Sequence, residues 1–178
     1  MSYRYLALDL DGTLVNSQKV ITPETYDALM RIQERGAKII LCSGRPMDGI
    51  LALARQLKLK EYGGYIISFN GGRVVSCQTG EIMFQREVAP DELWKVFHYA
   101  KEFKTPLLMH SKGSVLAEYA DNKYIVLEAK INHMPCGRWR ISRRARTNRS
   151  SSSSRSKSRT IWRRSNRRCV RRWDRTSM

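Results

Sequence analysis

Two carboxylates stand two residues apart in Asp9-Leu10-Asp11-Gly12-Thr13, directly after the apolar run Tyr5-Leu6-Ala7-Leu8. On an extended strand such a pair projects to one side, so Asp9 and Asp11 would face together while Leu10 turns away. Like charges held that close raise one another's pKa unless a cation lies between them. Magnesium would resolve the conflict, since it takes oxygen ligands and commonly needs only one or two carboxylates beside phosphate and water. Gly12 permits a close turn after the pair. The chemistry suited to this pattern is phosphoryl transfer, with Asp9 and Asp11 as catalytic and metal-binding candidates. Asp-Gly after a strand is also ordinary turn chemistry. The whole pattern is more specific, because a second strand further on ends in a hydroxyl residue, Ser43.

The elements around these residues form an α/β order. The apolar run before Asp9 does not alternate, which suits a central strand buried on both faces of a parallel sheet, and the end of such a strand is where α/β sheets bind ligands. Thr22-Pro23-Glu24 reads as a helix start: a hydroxyl cap, Pro in the first turn and an acid at the positive end of the dipole. Tyr26, Leu29 and Met30 follow at helical spacing, and Gly36 is placed to end the helix. Residues 37–42, Ala-Lys-Ile-Ile-Leu-Cys, form a second strand leading into Ser43-Gly44-Arg45-Pro46. A right-handed βαβ crossover then sets Ser43 beside Asp9. The Ser43 hydroxyl either donates to a phosphate oxygen or caps the helix begun by Pro46, whose apolar stripe is Met47, Ile50, Leu51, Ala54 and Leu57. A third strand over 65–69 ends in Asn70-Gly71-Gly72 at the same edge, where Asn70 is either a turn residue or a substrate contact.

Beyond this point the pattern changes to α+β. Residues 73–77 and 82–87 read as a hairpin, 90–103 as a helix burying Leu93, Val96, Phe97 and Ala100, and 105–110 and 114–119 as strands flanking a turn at Lys112-Gly113. His98 and His110 lack metal-ligand spacing and read as surface or half-buried structural residues. Trp94 reads as a packing residue. With 178 residues the expectation is one domain carrying a small insert.

The net charge of +17 belongs to one end of the chain. Residues 1–135 hold 17 Lys and Arg against 15 acids, whereas residues 136–178 hold 16 against the single acid Asp174. Cys42 and Cys77 form no C-x-x-C pair, which argues against disulfides and zinc and for a reducing cytoplasm. The four-residue apolar run before Asp9 is too short for a secretory segment, and no stretch is long enough to span a bilayer. The expectation is a soluble cytoplasmic protein without membrane contact. No oligomeric state can be read from the sequence.

Over residues 1–135 these motifs resemble the haloacid dehalogenase-like hydrolases, in particular the Cof-type sugar-phosphate phosphatases. Asp9-Leu10-Asp11-Gly12-Thr13-Leu14 is similar to the family's first motif, Ser43-Gly44-Arg45-Pro46 to its second, and Asn70-Gly71 to a signature of this branch. The resemblance implies a partial Rossmann-like core over 1–81 and the start of an α+β cap over 82–135. It also implies a magnesium-dependent phosphatase of small phosphorylated metabolites. Asp9 would attack phosphorus to form an aspartyl-phosphate, and Asp11 would serve as general acid and then base with its backbone carbonyl on the metal. Leu10, Ser43 and Gly44 would bind the phosphoryl group, while Arg45, Asn70 and Gly71 would face the substrate. The family further uses a Lys and a distal acidic pair. No Gly-Asp-x-x-x-Asp pattern follows residue 135, so this chain alone is expected to lose nearly all activity.

Residues 136–178 are about one-third Arg, contain an unbroken Ser150 to Ser154, and show no apolar periodicity. Such a segment is expected to be disordered. One reading is a tail that binds nucleic acid through phosphate contacts, with Trp139, Trp162 and Trp173 stacking on bases. The preferred reading is an out-of-frame translation beginning near codon 135 of a longer phosphatase gene. Sequencing the coding DNA separates the two.

Overall fold

The computed structural model describes residues 3–111 and 113–139. The described residues divide into two compact units, with the boundary between Leu93 and Trp94.

The first unit runs β1 (Tyr5–Asp9), α1 (Pro23–Glu34), β2 (Lys38–Cys42), α2 (Asp48–Gln56), α3 (Leu59–Tyr62), β3 (Tyr65–Ser68), β4 (Arg73–Ser76) and β5 (Ile82–Gln85). One sheet holds the strands in the order β1-β2-β3-β4-β5. The first three are parallel, and β4 and β5 each run antiparallel to their predecessor. The hairpin expected over 73–87 is therefore present. Its second strand, which the expected division placed in the cap, completes this first sheet.

Local chemistry accounts for the helices. The Thr22 hydroxyl accepts the Thr25 N–H at 3.3 Å, Pro23 fills the first helical position, and Gly36 turns the chain out at φ +90°. The second helix starts at Asp48 rather than at Pro46, because the Pro46 carbonyl first closes a tight turn by accepting the Gly49 N–H at 3.0 Å. Residues 65–69 do not stay extended throughout: Phe69 and Asn70 both take positive φ and end β3 at Ser68.

Both α1 and α2 cover one face of the sheet. Leu29 from α1 and Ile50 and Ala54 from α2 join Ile39, Leu41 and Ile66 in one buried cluster, with Leu6 and Leu8 packed against it. That arrangement corrects the reading of β1 as a central strand buried on both faces. Among the described residues β1 pairs only with β2, and Tyr5, Ala7 and Asp9 are exposed. A strand reads as buried when its run is apolar, but whether anything lies on its second face is set by the rest of the chain.

Gly64, just before β3, sits where a side chain cannot fit. A Cβ there would lie 2.7 Å from the Ile39 carbonyl oxygen and 3.1 Å from two Leu59 side-chain carbons. Gly64→Ala is expected to destabilise the unit by about 1–3 kcal/mol, read as a lower denaturant midpoint with an unchanged slope. An unchanged midpoint would show that β2 and β3 separate more easily than this packing implies.

The second unit contains β6 (Leu108–Ser111), β7 (Ser114–Ala117), α5 (Lys123–Ile131) and β8 (Cys136–Arg138), and α4 (Pro90–Glu102) crosses into it from the first. β6 and β7 are antiparallel, and β8 pairs parallel to β7. Val115, Ala117, Ile125, Ala129 and Met134 form its core. The Asn122 side chain caps α5 by accepting the Tyr124 N–H at 3.0 Å. On α4, Leu93, Phe97 and Ala100 are half-buried, but Val96, expected inside, is exposed. His98 is exposed, and His110 lies 3.5 Å from the Glu128 carboxylate.

The start of the basic segment is also corrected. Residues 136–138 are a strand, and Trp139, read as a base-stacking candidate, is buried with its ring edge-on to Phe97 at 5.8 Å. Strand pairing with β7 and the hydrophobic gain from an indole hold these residues in place despite the Arg-rich composition around them. Residues 140–178, with Trp162, Trp173 and the tail's nucleic-acid and out-of-frame readings, lie outside the described residues. Among the described residues, Cys42 and Cys77 are free thiols, and burial pushes the Cys77 thiol up to about 11. No helix there is long and apolar enough to cross a membrane.

Candidate active site

The parallel register sets Asp9 opposite Cys42, so the first carboxylate and Ser43 leave the sheet at the same end. Asp9 is exposed, and among the described residues its carboxylate makes no hydrogen bond or ion pair. Its charge and the burial of Cys42 together raise the Cys42 thiol pKa, burial being the larger cause.

After Asp9 the chain coils rather than continuing extended. Gly12 takes φ +81°, and the Leu10 carbonyl accepts the Leu14 and Val15 N–H groups at 3.1 and 3.0 Å. Leu10, Leu14 and Val15 are buried, which anchors the coil from below. Asp11 is thereby held outside. Leu10 places its side chain in the core, so any contact it makes with a phosphoryl group comes from its backbone.

Asp11 lies under two cations. The Arg45 Nε and Nη2 donate to its two carboxylate oxygens at 3.0 and 2.5 Å, and the Lys19 Nζ donates to Oδ1 at 2.7 Å. The fork of Arg matches both oxygens of a carboxylate, which fixes orientation as well as charge. The Arg45 hydrogen bonds hold the Asp11 carboxyl below the usual carboxylate range, against partial burial and with help from Lys19.

Lys19 is the site residue that the sequence reading missed. The Asn16 side chain accepts the N–H groups of Gln18 and Val20, and Lys19 itself turns at φ +62°, folding the loop back onto Asp11. An Asn that can close an Asx turn was the available signal. The eight-residue spacing from Asp11 to Lys19 has no helical or strand meaning.

The second and third segments interlock. The Ser43 hydroxyl accepts the Arg45 N–H at 3.1 Å, so it caps its own turn rather than the helix, and its O–H proton remains available to donate. The Asn70 N–H donates to the Ser43 carbonyl at 3.2 Å, and the Phe69 N–H to the Arg45 carbonyl at 3.1 Å. Gly44 leaves room for the Asn70 amide: a Cβ on it would lie 3.0 Å from Asn70 Oδ1. Gly71, at φ +92°, completes the turn. The structure thus brings Ser43, Gly44 and Asn70 together and joins Arg45 to Asp11, while Gly71 contributes its backbone conformation.

Arg45→Ala is expected to move the Asp11 pKa up toward the ordinary carboxylate value, measurable by carboxyl NMR titration. The linked stability follows the lowered folded pKa. It is fully present above the unfolded carboxylate pKa and lost as pH falls through the lower folded value. With Asp11 42% exposed, the pair contributes at most about 1 kcal/mol. An Asp11 titration identical in both proteins would show that the ion pair does not form in solution.

Comparison with known proteins places this arrangement. A family profile described as haloacid dehalogenase-like hydrolase matches residues 6–160. The Bacillus subtilis phosphatase candidate YxeH is 32% identical over 134 residues, covering 75% of this chain and 50% of that protein. The 5-amino-6-(5-phospho-D-ribitylamino)uracil phosphatase YwtE of Bacillus subtilis is 33% identical over 90 residues, 51% of this chain and 29% of its own length. A crystal structure of a haloacid dehalogenase-like hydrolase from Bacteroides thetaiotaomicron superposes with a TM-score of 0.71 at 34% identity, covering 76% of this chain and 51% of that one. The chain spans about half the length of YxeH and of this solved structure. With its two leading motifs at one end of a parallel sheet and this match along its length, the chain belongs to the haloacid dehalogenase-like hydrolases, in their Cof-type branch.

Proposed function

We propose that this chain is the nucleophile-bearing half of a magnesium-dependent phosphatase acting on small phosphorylated metabolites in the cytoplasm. The observation that carries this reading is the Asp9 carboxylate, without a partner among the described residues, at the tip of a parallel strand beside the Ser43 to Arg45 turn and the clamped Asp11. The name of YwtE, a phosphatase of a phosphorylated ribityl compound, supports the substrate class.

In this reading a carboxylate oxygen of Asp9 attacks phosphorus, and the bond from phosphorus to the substrate oxygen breaks as Asp11 supplies that oxygen with a proton. Water then attacks the aspartyl-phosphate, Asp11 takes the water's proton, and phosphate leaves with Asp9 restored. Asp11 cannot donate while two cations hold it ionised. A phosphate dianion competes for Arg45 and Lys19, and their transfer to it frees Asp11 to take up a proton. Ser43 donates its O–H to a phosphoryl oxygen.

The oxygen donors fit magnesium. Asp9 offers an unpaired carboxylate and Asp11 a backbone carbonyl, which suits a hard cation that completes its shell with phosphate and water. The Asp11 carboxylate, engaged by Arg45 and Lys19, is not a ligand in this arrangement. Among the described residues no three His, Cys, Asp or Glu side chains group to hold a metal. Bound magnesium would neutralise charge on the transferring phosphoryl group.

The remaining cation and acids of a complete site would come from outside residues 1–135, where Asp174 is the only acid this chain supplies. A chimera of residues 1–135 with the half of YxeH that this chain does not match is therefore expected to hydrolyse p-nitrophenyl phosphate. Its activity is expected to stop in EDTA and return with magnesium, while the 178-residue chain alone stays far below it. A folded but inert chimera, or salt-sensitive RNA binding by the chain with no turnover in either protein, would sink the proposal.

A further inference from the structure

Arg45 and Lys19 both hold Asp11, but the two cations are anchored very differently. Arg45 grips both carboxylate oxygens, and its Nη1 also donates to the Gly49 carbonyl at 3.4 Å, which fixes a side chain only 16% exposed. The Lys19 ammonium, on a side chain 59% exposed, makes one hydrogen bond among the described residues, to Asp11 Oδ1. A forked, shielded guanidinium is costly to move, whereas an ammonium on a flexible stem has further donors to offer.

The backbone beneath Lys19 is tightly bonded. The Asn16 N–H donates to the Val20 carbonyl at 3.1 Å, the Lys19 N–H donates to the Asn16 carbonyl at 2.9 Å, and the Asn16 side chain accepts the Gln18 and Val20 N–H groups. Lys19 sits in this loop at φ +62°, a conformation that Gly adopts freely and a long side chain does not. Backbone outliers of this kind gather where a side chain has a task. Neutralising Asp11 is not task enough, because Arg45 alone balances that charge.

In the reaction proposed above, Asp11 meets the oxygen of the leaving group, while Ser43 meets the phosphoryl oxygens. With Nζ 2.7 Å from Asp11 Oδ1, a leaving oxygen at ordinary hydrogen-bond length from Asp11 falls within about 6 Å of the ammonium. An anionic group one or two carbons along the leaving group therefore reaches Lys19 while its ester oxygen stays on Asp11. A carboxylate brings the single negative charge that matches the one Lys19 supplies in excess.

We propose that Lys19 is a specificity-determining residue, selecting phosphomonoesters whose leaving group carries a carboxylate within two carbons of the ester carbon. The inference rests on the roles proposed for Asp9 and Asp11. Because Lys19 is also drawn by the phosphate of any substrate, selection shows in the ratio of two affinities and not in either alone.

The test titrates the full 178-residue chain with 3-phosphoglycerate and with glycerol 3-phosphate, which differ in having a carboxylate or a neutral alcohol at the same place. Binding is read from the NMR shifts of the Asp11, Gly12 and Ser43 amides, so that anions held elsewhere on a chain of net charge +17 are not counted. The carboxylate-bearing probe is expected to bind on the order of fivefold more tightly. Lys19→Gly is expected to bring the ratio to about one and to melt no lower than the parent, since Gly suits the left-handed backbone. Lys19→Arg is expected to keep the ratio. Lys58→Gly removes the same charge from a similar backbone, φ +52°, on the connection that enters β3 from the end of the sheet opposite Asp9, and is expected to keep it too. A parent ratio near one, a ratio that survives Lys19→Gly, an equal loss in Lys58→Gly, or no shift of the site amides with either probe would overturn the proposal. Turnover plays no part in this reading: an active chimera beside a parent ratio near one removes the role of Lys19 alone, and an inert chimera removes the roles of Asp9 and Asp11.

Discussion

Asp9→Asn is expected to lower p-nitrophenyl phosphate turnover by the chimera on the order of a thousandfold or more, with the melting temperature unchanged. The amide keeps the size of the side chain but removes the charge and nucleophilicity that the proposed covalent step needs. The folded state has little stake in the exchange, because Asp9 is exposed and its carboxylate has no partner among the described residues. Asn is also neutral, so its effect on any bound magnesium is confounded with its effect on attack. Rapid-quench analysis tests the covalent step itself: the parent chimera is expected to accumulate an acid-stable, hydroxylamine-sensitive phosphoenzyme, and the variant none. A variant retaining a tenth of the turnover would remove Asp9 from the nucleophile's role.

The second large effect falls on the core. Leu41 is fully buried at the centre of the parallel strands, in register with Leu8 on β1 and Ile66 on β3. Its neighbours in the cluster include Ile39 on its own strand and Ile50 from α2. Leu41→Ala removes three carbons from a place that helices cover on one side and strands hold on both flanks, so the cavity cannot readily collapse. The expected loss is about 2–5 kcal/mol, read from the urea midpoint of the full chain. Because Leu41 immediately precedes Cys42 and Ser43, the variant is also expected to raise hydrogen exchange at Ser43, whose N–H donates to the Ile67 carbonyl at 2.9 Å. A loss below about 1 kcal/mol would mean that β1, open on its outer edge, gives way to fill the space.

The proposed chemistry places unusual weight on Lys19 and Arg45. Two positive side chains on one carboxylate oxygen leave one charge in excess, which an incoming phosphate can satisfy. The resting arrangement is thus one in which the acid is inactive until the anion that needs it draws its partners away. Loop shape makes this possible: Asn16 folds residues 16–20, and the Ser43 turn aims Arg45 across the strand ends.

Much of this was legible before the fold was known. Periodicity and caps located α1 and the three parallel strands, because Thr22, Pro23 and Gly36 act on the few residues next to them. The pattern from Asp9 to Thr13 announced a turn and paired carboxylates for the same local reason, and Ser43 followed from the βαβ register. The ends of elements were less secure. Phe69 was read as strand, although the Arg45 carbonyl draws its N–H into a positive-φ turn. Val96 was read as buried, although helical spacing defines an apolar side without saying how much of it is covered.

What the sequence determined by itself is the pair of leading motifs, the parallel order of the strands that carry them, and the family. Each is written in residues close together or in a short repeat. Tertiary structure alone decided that Lys19 joins Arg45 on Asp11, that Asn70 fits against Gly44, and that Cys136 to Trp139 belong to a folded unit. Those outcomes depend on loops closing and distant segments meeting, and the free energies involved are set by neighbours that no local window contains.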